Sequence, residues 1–144
     1  MMNRLRDERG FTLVELVITM VIVGILAVVS VPIYKGFVDK AKATEGVALV
    51  GGIRSSERIY YAEHNGYATG TVATVLGLLD LSQPDGKYFG SGSVASIAAD
   101  ATYGFIATAQ GNGGGATNIH VRIRGTTGQV DKSYDGGTTW KGYE

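Results

Sequence analysis

From Phe11 to Val31 the chain runs twenty-one residues with one charged side chain, Glu15. Extended to Tyr34 as a helix, the segment is about 36 Å long, against a hydrocarbon core of about 30 Å. It is therefore predicted to cross one bilayer with a little tilt. Arg4, Arg6 and Arg9 outnumber Asp7 and Glu8 in the ten residues before it, which holds that end in the cytosol. A secretory signal would have a shorter apolar region and a small-x-small cleavage site. Val28-x-Ser30 matches such a site poorly. Past Pro32 a helical pattern resumes. Val38, Ala41, Ala48, Leu49, Ile53, Ile59 and Tyr60 form one apolar stripe, with Asp39, Lys40, Lys42, Glu45, Arg54, Glu57 and Arg58 mostly off it. Gly36, Gly46, Gly51 and Gly52 each weaken that helix by up to about 1 kcal/mol. They mark either close helix approach in an assembly or an irregularity around Gly51.

His64-Asn65-Gly66 reads as a helix stop. A connecting region with a short helix over Val72–Leu81 follows, ended by Ser82-Gln83-Pro84-Asp85-Gly86. Lys87-Tyr88-Phe89 is predicted to open a sheet, with further strands over Tyr103–Ala109 and Asn118–Arg124. In the latter, Ile119, Val121 and Ile123 alternate with His120, Arg122 and Arg124. Gln129–Tyr134 and the end around Trp140 add one more. The fold class is α+β: a long N-terminal helix, membrane-spanning in its first half and amphipathic in its second, packed on a small antiparallel sheet of three or four strands. The domain plan is a leader at 1–10, the apolar helix at 11–34, its amphipathic half at 35–64 and a globular head at 65–144.

Glu15 makes the sharpest physical demand. A carboxylate at bilayer depth costs roughly 2.5–3.5 kcal/mol, so it needs a partner or a purpose. It favours the positive end of the helix dipole. A cut between Gly10 and Phe11 would give Phe11 a charged α-amine four residues before Glu15. The amine of one chain can then meet the carboxylate of a neighbour, removing two charges from lipid and fixing the stagger between chains. The other view is a lone glutamate in the headgroup zone. Pro32 lacks an amide hydrogen and is expected to bend or loosen the helix near Val28, and Gly24 weakens the same stretch.

Gly10-Phe11-Thr12-Leu13-Val14-Glu15-Leu16 behind a short charged leader resembles the class III leader of type IV pilins and pseudopilins. Thr12, Gly24, Pro32 and Tyr34 extend the likeness. The resemblance implies cleavage after Gly10 by a prepilin peptidase, N-methylation of Phe11 by the same enzyme, and subunit assembly through Phe11, Thr12 and Glu15. It also implies an extended segment between Gly24 and Pro32 in the fibre. The implied partners are further copies of the chain through the N-terminal helix, the processing peptidase and methyltransferase, the inner-membrane assembly machinery, and the membrane before assembly. The implied location is the inner membrane as a single-pass precursor, then a surface filament. The expected function is the major pilin of a type IV pilus, serving attachment, twitching motility or DNA uptake. The alternatives are a pseudopilin of type II secretion and a membrane-anchored binding domain that never polymerises.

Composition adjusts this picture. Removing Met1–Gly10 takes away three arginines and two acids, leaving a formal charge of about −1 and no electrostatic case for nucleic-acid binding. Many pilins close their C-terminal region with a disulfide. Cysteine is absent here, so strand pairing and packing must hold that region. The 22 glycines, mostly beyond residue 65, suit short strands and tight turns. His64 and His120 have no evident zinc partners. The loop Gly111–Gly115 lacks a phosphate-binding lysine. Asp131 and Asp135 raise the thought of calcium, but their spacing does not match an EF-hand loop. No cofactor, metal or catalytic residue is expected, and the chain is read as structural rather than enzymatic. Phe11, Tyr34, Phe37, Tyr60, Tyr61 and Tyr67 are read as packing rings rather than an electron path.

Overall fold

The structure, a computed structural model, describes residues 10–142. Apart from Gly10, the leader predicted at 1–10 falls outside the described residues. The chain divides between Phe37 and Val38 into two units. One helix, α1 (Leu13–His64), has residues in both, and α2 (Val72–Leu78) follows. Five strands complete the second unit: β1 (Val94–Asp100), β2 (Gly104–Gln110), β3 (His120–Arg124), β4 (Val130–Ser133) and β5 (Lys141–Gly142). They lie in the order β1-β2-β3-β4-β5, every neighbouring pair antiparallel. The α+β architecture is as expected, with five strands in place of three or four.

The additional strand is β1, which the sequence pattern missed. Its burial does not alternate cleanly, its register shifts between Val94 and Ser96, and it is built largely of alanine and serine. Such small residues carry a weak strand signal. Conversely, Lys87-Tyr88-Phe89 is not a strand. The Glu45 side chain of α1 accepts the N–H groups of Tyr88 at 2.9 Å and Phe89 at 2.7 Å, so these donors serve the helix rather than a ladder. The short helix ends at Leu78 rather than Leu81. It is capped at its start by Thr71, whose hydroxyl accepts the N–H of Thr74, and it buries Val75 and Leu76.

Within the second unit, the buried face of α1 is Ala43, Gly46, Val50, Ile53 and Glu57. This corrects the predicted stripe, of which only Ile53 is buried; Ala41, Ala48 and Ile59 are exposed. A glycine and a glutamate hold two of the five inward positions, so hydrophobicity does not mark that face. A Cβ at Gly46 would lie 2.6 Å from the Phe89 ring and 2.9 Å from Val121, which explains the glycine. Helical structure runs unbroken through Gly51 and Gly52, so no irregularity occurs there. Against this face β2 turns Phe105, Ala107 and Ala109 inward and β3 turns Val121 and Ile123, all buried.

Polar groups tie α1 to the rest of this unit. Glu57, fully buried, accepts the Ala68 N–H at 3.0 Å through Oε2, which holds the chain as it leaves the helix. Arg54 donates to the carbonyls of Gly125 at 2.8 Å and Thr126 at 3.4 Å. Tyr67 stands between Tyr61 and Phe105, with centroids at 4.7 and 5.1 Å, a packing role.

The C-terminal region is held without a disulfide. β5 pairs with β4, the Arg122 guanidinium lies 4.2 Å from the centroid of Trp140, and Asp131 receives Arg122 and Arg124 at 2.8 and 2.9 Å. Asp135 closes the intervening turn. It accepts from the Ser133 hydroxyl at 2.6 Å and from the Thr139 and Thr138 N–H groups at 2.9 and 3.1 Å. These bonds, Ser133 first, hold its carboxyl well below the usual carboxylate range.

Candidate functional site

The candidate site lies at the start of α1. Among large apolar side chains from Leu13 to Phe37, each is between 48% and 78% exposed. A surface of that kind demands lipid or other apolar helices as its surroundings. The segment is long and apolar enough to cross a membrane. Pro32 and Gly24 both stand inside unbroken helix, so the subunit has no extended segment between them.

Glu15 has a local partner that the sequence pattern did not reveal. Its Oε2 accepts the Thr12 N–H at 3.0 Å and the Thr12 hydroxyl at 2.9 Å. In return the Glu15 N–H donates to the Thr12 hydroxyl oxygen at 3.2 Å. This is a capping box, with Thr12 at the N-cap and Glu15 at the third helical position. The signal is present in the sequence as Thr-x-x-Glu ahead of an apolar run, and it gives Thr12 a local role beside the assembly role that the resemblance implies. Among the described residues Oε1 of Glu15 takes no hydrogen bond, so one oxygen orders the helix start while the other faces outward. Phe11, 79% exposed, and Gly10 precede the helix, so the bond between them lies outside regular structure.

The remaining candidate positions are not drawn together. Among the described residues no three histidine, cysteine or acidic side chains gather to hold a metal. Asp131 and Asp135 are engaged by separate partners, arginines in one case and a turn in the other. Tyr88 accepts the Asn112 and Gly113 N–H groups through its carbonyl, so the start of the glycine-rich loop docks on the chain rather than forming an open cradle.

A family profile described as the prokaryotic N-terminal methylation motif matches residues 5–31. A fimbrial protein of Neisseria meningitidis is 31% identical over 134 residues, covering 92% of this chain and 71% of that protein. The type IV major pilin protein PilE of Neisseria gonorrhoeae is also 31% identical over 134 residues, covering 92% and 72%. The type IV major fimbrial protein FimA of Dichelobacter nodosus is 36% identical over 88 residues, covering 56% of this chain and 55% of its own. No solved structure matches. With this similarity over 92% of its length, an apolar helix at its start and an antiparallel sheet behind it, the chain belongs to the type IV pilin family.

Proposed function

We propose that the chain is a structural subunit, cut between Gly10 and Phe11, that polymerises into a pilus through its N-terminal helix. Hydrolysis of that bond leaves a carboxylate on Gly10 and an amine on Phe11. The processing enzyme then transfers a methyl group from a sulfonium methyl donor to the amine, breaking the donor's S–CH3 bond, leaving the donor as a thioether and releasing one proton from the nitrogen. The amide between Phe11 and Thr12 is untouched, so the capping box of Thr12 and Glu15 outlives the cut. Its Oε1 is then available to the amine of a neighbouring subunit.

The observation that supports this best is a single carboxylate, half engaged, in the first part of α1, where the large apolar side chains from Leu13 to Phe37 are all exposed. Moving such a helix from lipid into a bundle exchanges one apolar neighbour for another. Close packing and the amine–carboxylate pair must therefore supply the specificity. Gly24 and Pro32 would let the helix open between them once neighbours cover the freed carbonyls. The role is structural, and no reaction is assigned to the chain's own side chains. The named relatives are pilins and fimbrial proteins, which favours a pilus over a secretion pseudopilus.

Glu15→Ala and Glu15→Lys test the pairing. Membrane insertion should persist in both while fibres are lost or lose their register. Fibres of normal yield and order from either variant would overturn the pairing.

A further inference from the structure

The chain holds two Asn-Gly pairs, Asn65-Gly66 just past the end of α1 and Asn112-Gly113 in the glycine-rich loop. Asparagine is chemically labile, and most so before glycine, whose amide nitrogen no side chain shields. That nitrogen attacks Cγ of the asparagine. The new N–C bond closes a cyclic imide, the Cγ–NH2 bond breaks, and ammonia leaves with the proton of the attacking nitrogen. Water then opens the ring at either carbonyl, giving aspartate or isoaspartate. Water is the one co-reactant needed. Both asparagines are exposed, so access to water does not separate them.

Hydrogen bonding does separate them. Asn112 Oδ1 accepts the Gly90 N–H at 3.0 Å and its Nδ2 donates to the Ser91 carbonyl at 2.7 Å. The Gly113 N–H donates to the Tyr88 carbonyl at 3.3 Å. Attacking nitrogen and attacked carbon are thus each held by other parts of the chain. Asn118 precedes Ile119, whose branched side chain crowds the nitrogen and whose N–H is bound to the Ala116 carbonyl at 2.8 Å. Asn65 is different. Its backbone N–H donates to the Tyr61 carbonyl at 2.8 Å, but among the described residues neither its side-chain amide nor the Gly66 N–H has a hydrogen bond. Its φ of 53° lies in the left-handed region, where asparagine ends a helix at some cost in energy. A Cβ added at Gly66 would meet nothing within 4 Å, so this pair has room to turn.

We propose that Asn65 is a self-modifying site of the folded subunit, converting to aspartate or isoaspartate through the Gly66 nitrogen while Asn112 stays an amide. The product places a carboxylate two residues after Glu63, at the negative end of the α1 dipole, which disfavours it. Conversion therefore weakens the point where the chain leaves the helix, three residues before the Ala68 N–H that Glu57 holds. Each subunit carries a charge that marks its age. The chemistry belongs to the folded chain and does not depend on polymerisation.

The test holds the full chain in detergent at mildly alkaline pH and follows its tryptic peptides by mass spectrometry, with digestion at slightly acidic pH so that no further amide is lost. The peptide Ile59–Lys87 contains Asn65 alone, and Tyr88–Arg122 contains Asn112 and Asn118. In the folded chain Asn65 should exchange its amide for an acid many-fold faster than Asn112 and yield both aspartate and isoaspartate forms. In urea the two should convert at similar rates. Gly66→Ala, for which there is space, should slow the conversion of Asn65 many-fold. Asn65 still an amide in the folded chain after the unfolded chain has converted overturns the proposal. Equal conversion of Asn65 and Asn112 in the folded chain overturns it too, as does an unchanged rate in Gly66→Ala. Asn65→Asp, which carries the charge of the product, should melt below the parent, and an equal melting temperature overturns the weakening of the helix exit.

Discussion

The carboxylate of Glu45 accepts the backbone N–H of Phe89 at 2.7 Å across a separation of 44 residues. The same oxygen takes the Tyr88 N–H. One side chain thus replaces a strand partner and pins the entry to the sheet on the helix. Glu45→Ala leaves two donors without an acceptor and should cost about 2–3 kcal/mol in unfolding free energy. Glu45→Gln keeps the acceptor and should cost about 1 kcal/mol. Thermal unfolding of the detergent-solubilised subunit checks both.

Gly46 and Gly52 should respond in opposite directions to alanine. Alanine is favoured over glycine in a helix by about 1 kcal/mol, and at Gly52 nothing opposes that gain. At Gly46 the new methyl meets the ring of Phe89, itself 1% exposed and unable to retreat into solvent. Overpacking there should cost about 1–3 kcal/mol, which exceeds the helical gain. Melting temperatures of the two variants should move apart, Gly52→Ala upward and Gly46→Ala downward.

Glu57 should make the subunit's stability depend on pH. Burial raises its pKa above the usual 4.5, only partly offset by the Ala68 N–H, and its Oε1 has no partner. The folded state therefore binds the proton more tightly than the unfolded chain. This contribution to stability is complete below about pH 4.5, declines as pH rises toward the folded value, and is flat above it. Glu57→Gln should remove the decline. Melting temperatures measured from about pH 4 to pH 8 should fall more steeply in the parent than in the variant.

These sites also mark where sequence and structure part. The apolar run and Glu15 were legible because no other stretch of that length is so continuously built of large apolar side chains, which leaves its one acid conspicuous. β3 was legible because Val121 and Ile123 alternate with arginines. The inward face of α1 was not, because Gly46 and Glu57 occupy it for reasons that lie far along the chain: Phe89 and Val121 for the glycine, the Ala68 amide for the acid. β1 was hidden by its small residues and its register shift. The capping box needed only the short-range pattern Thr-x-x-Glu. The same glutamate also answers the demand of a charge at bilayer depth, and only its Oε2 is used by Thr12, so the local bond and an outside partner do not exclude each other.

The intact mass of the subunit recovered from sheared fibres tests the central claim most directly. A chain that begins at Phe11 and carries one added methyl group at its amino end is the predicted result. Protein that still begins at Met1, found only in the membrane and never in fibres, would contradict it.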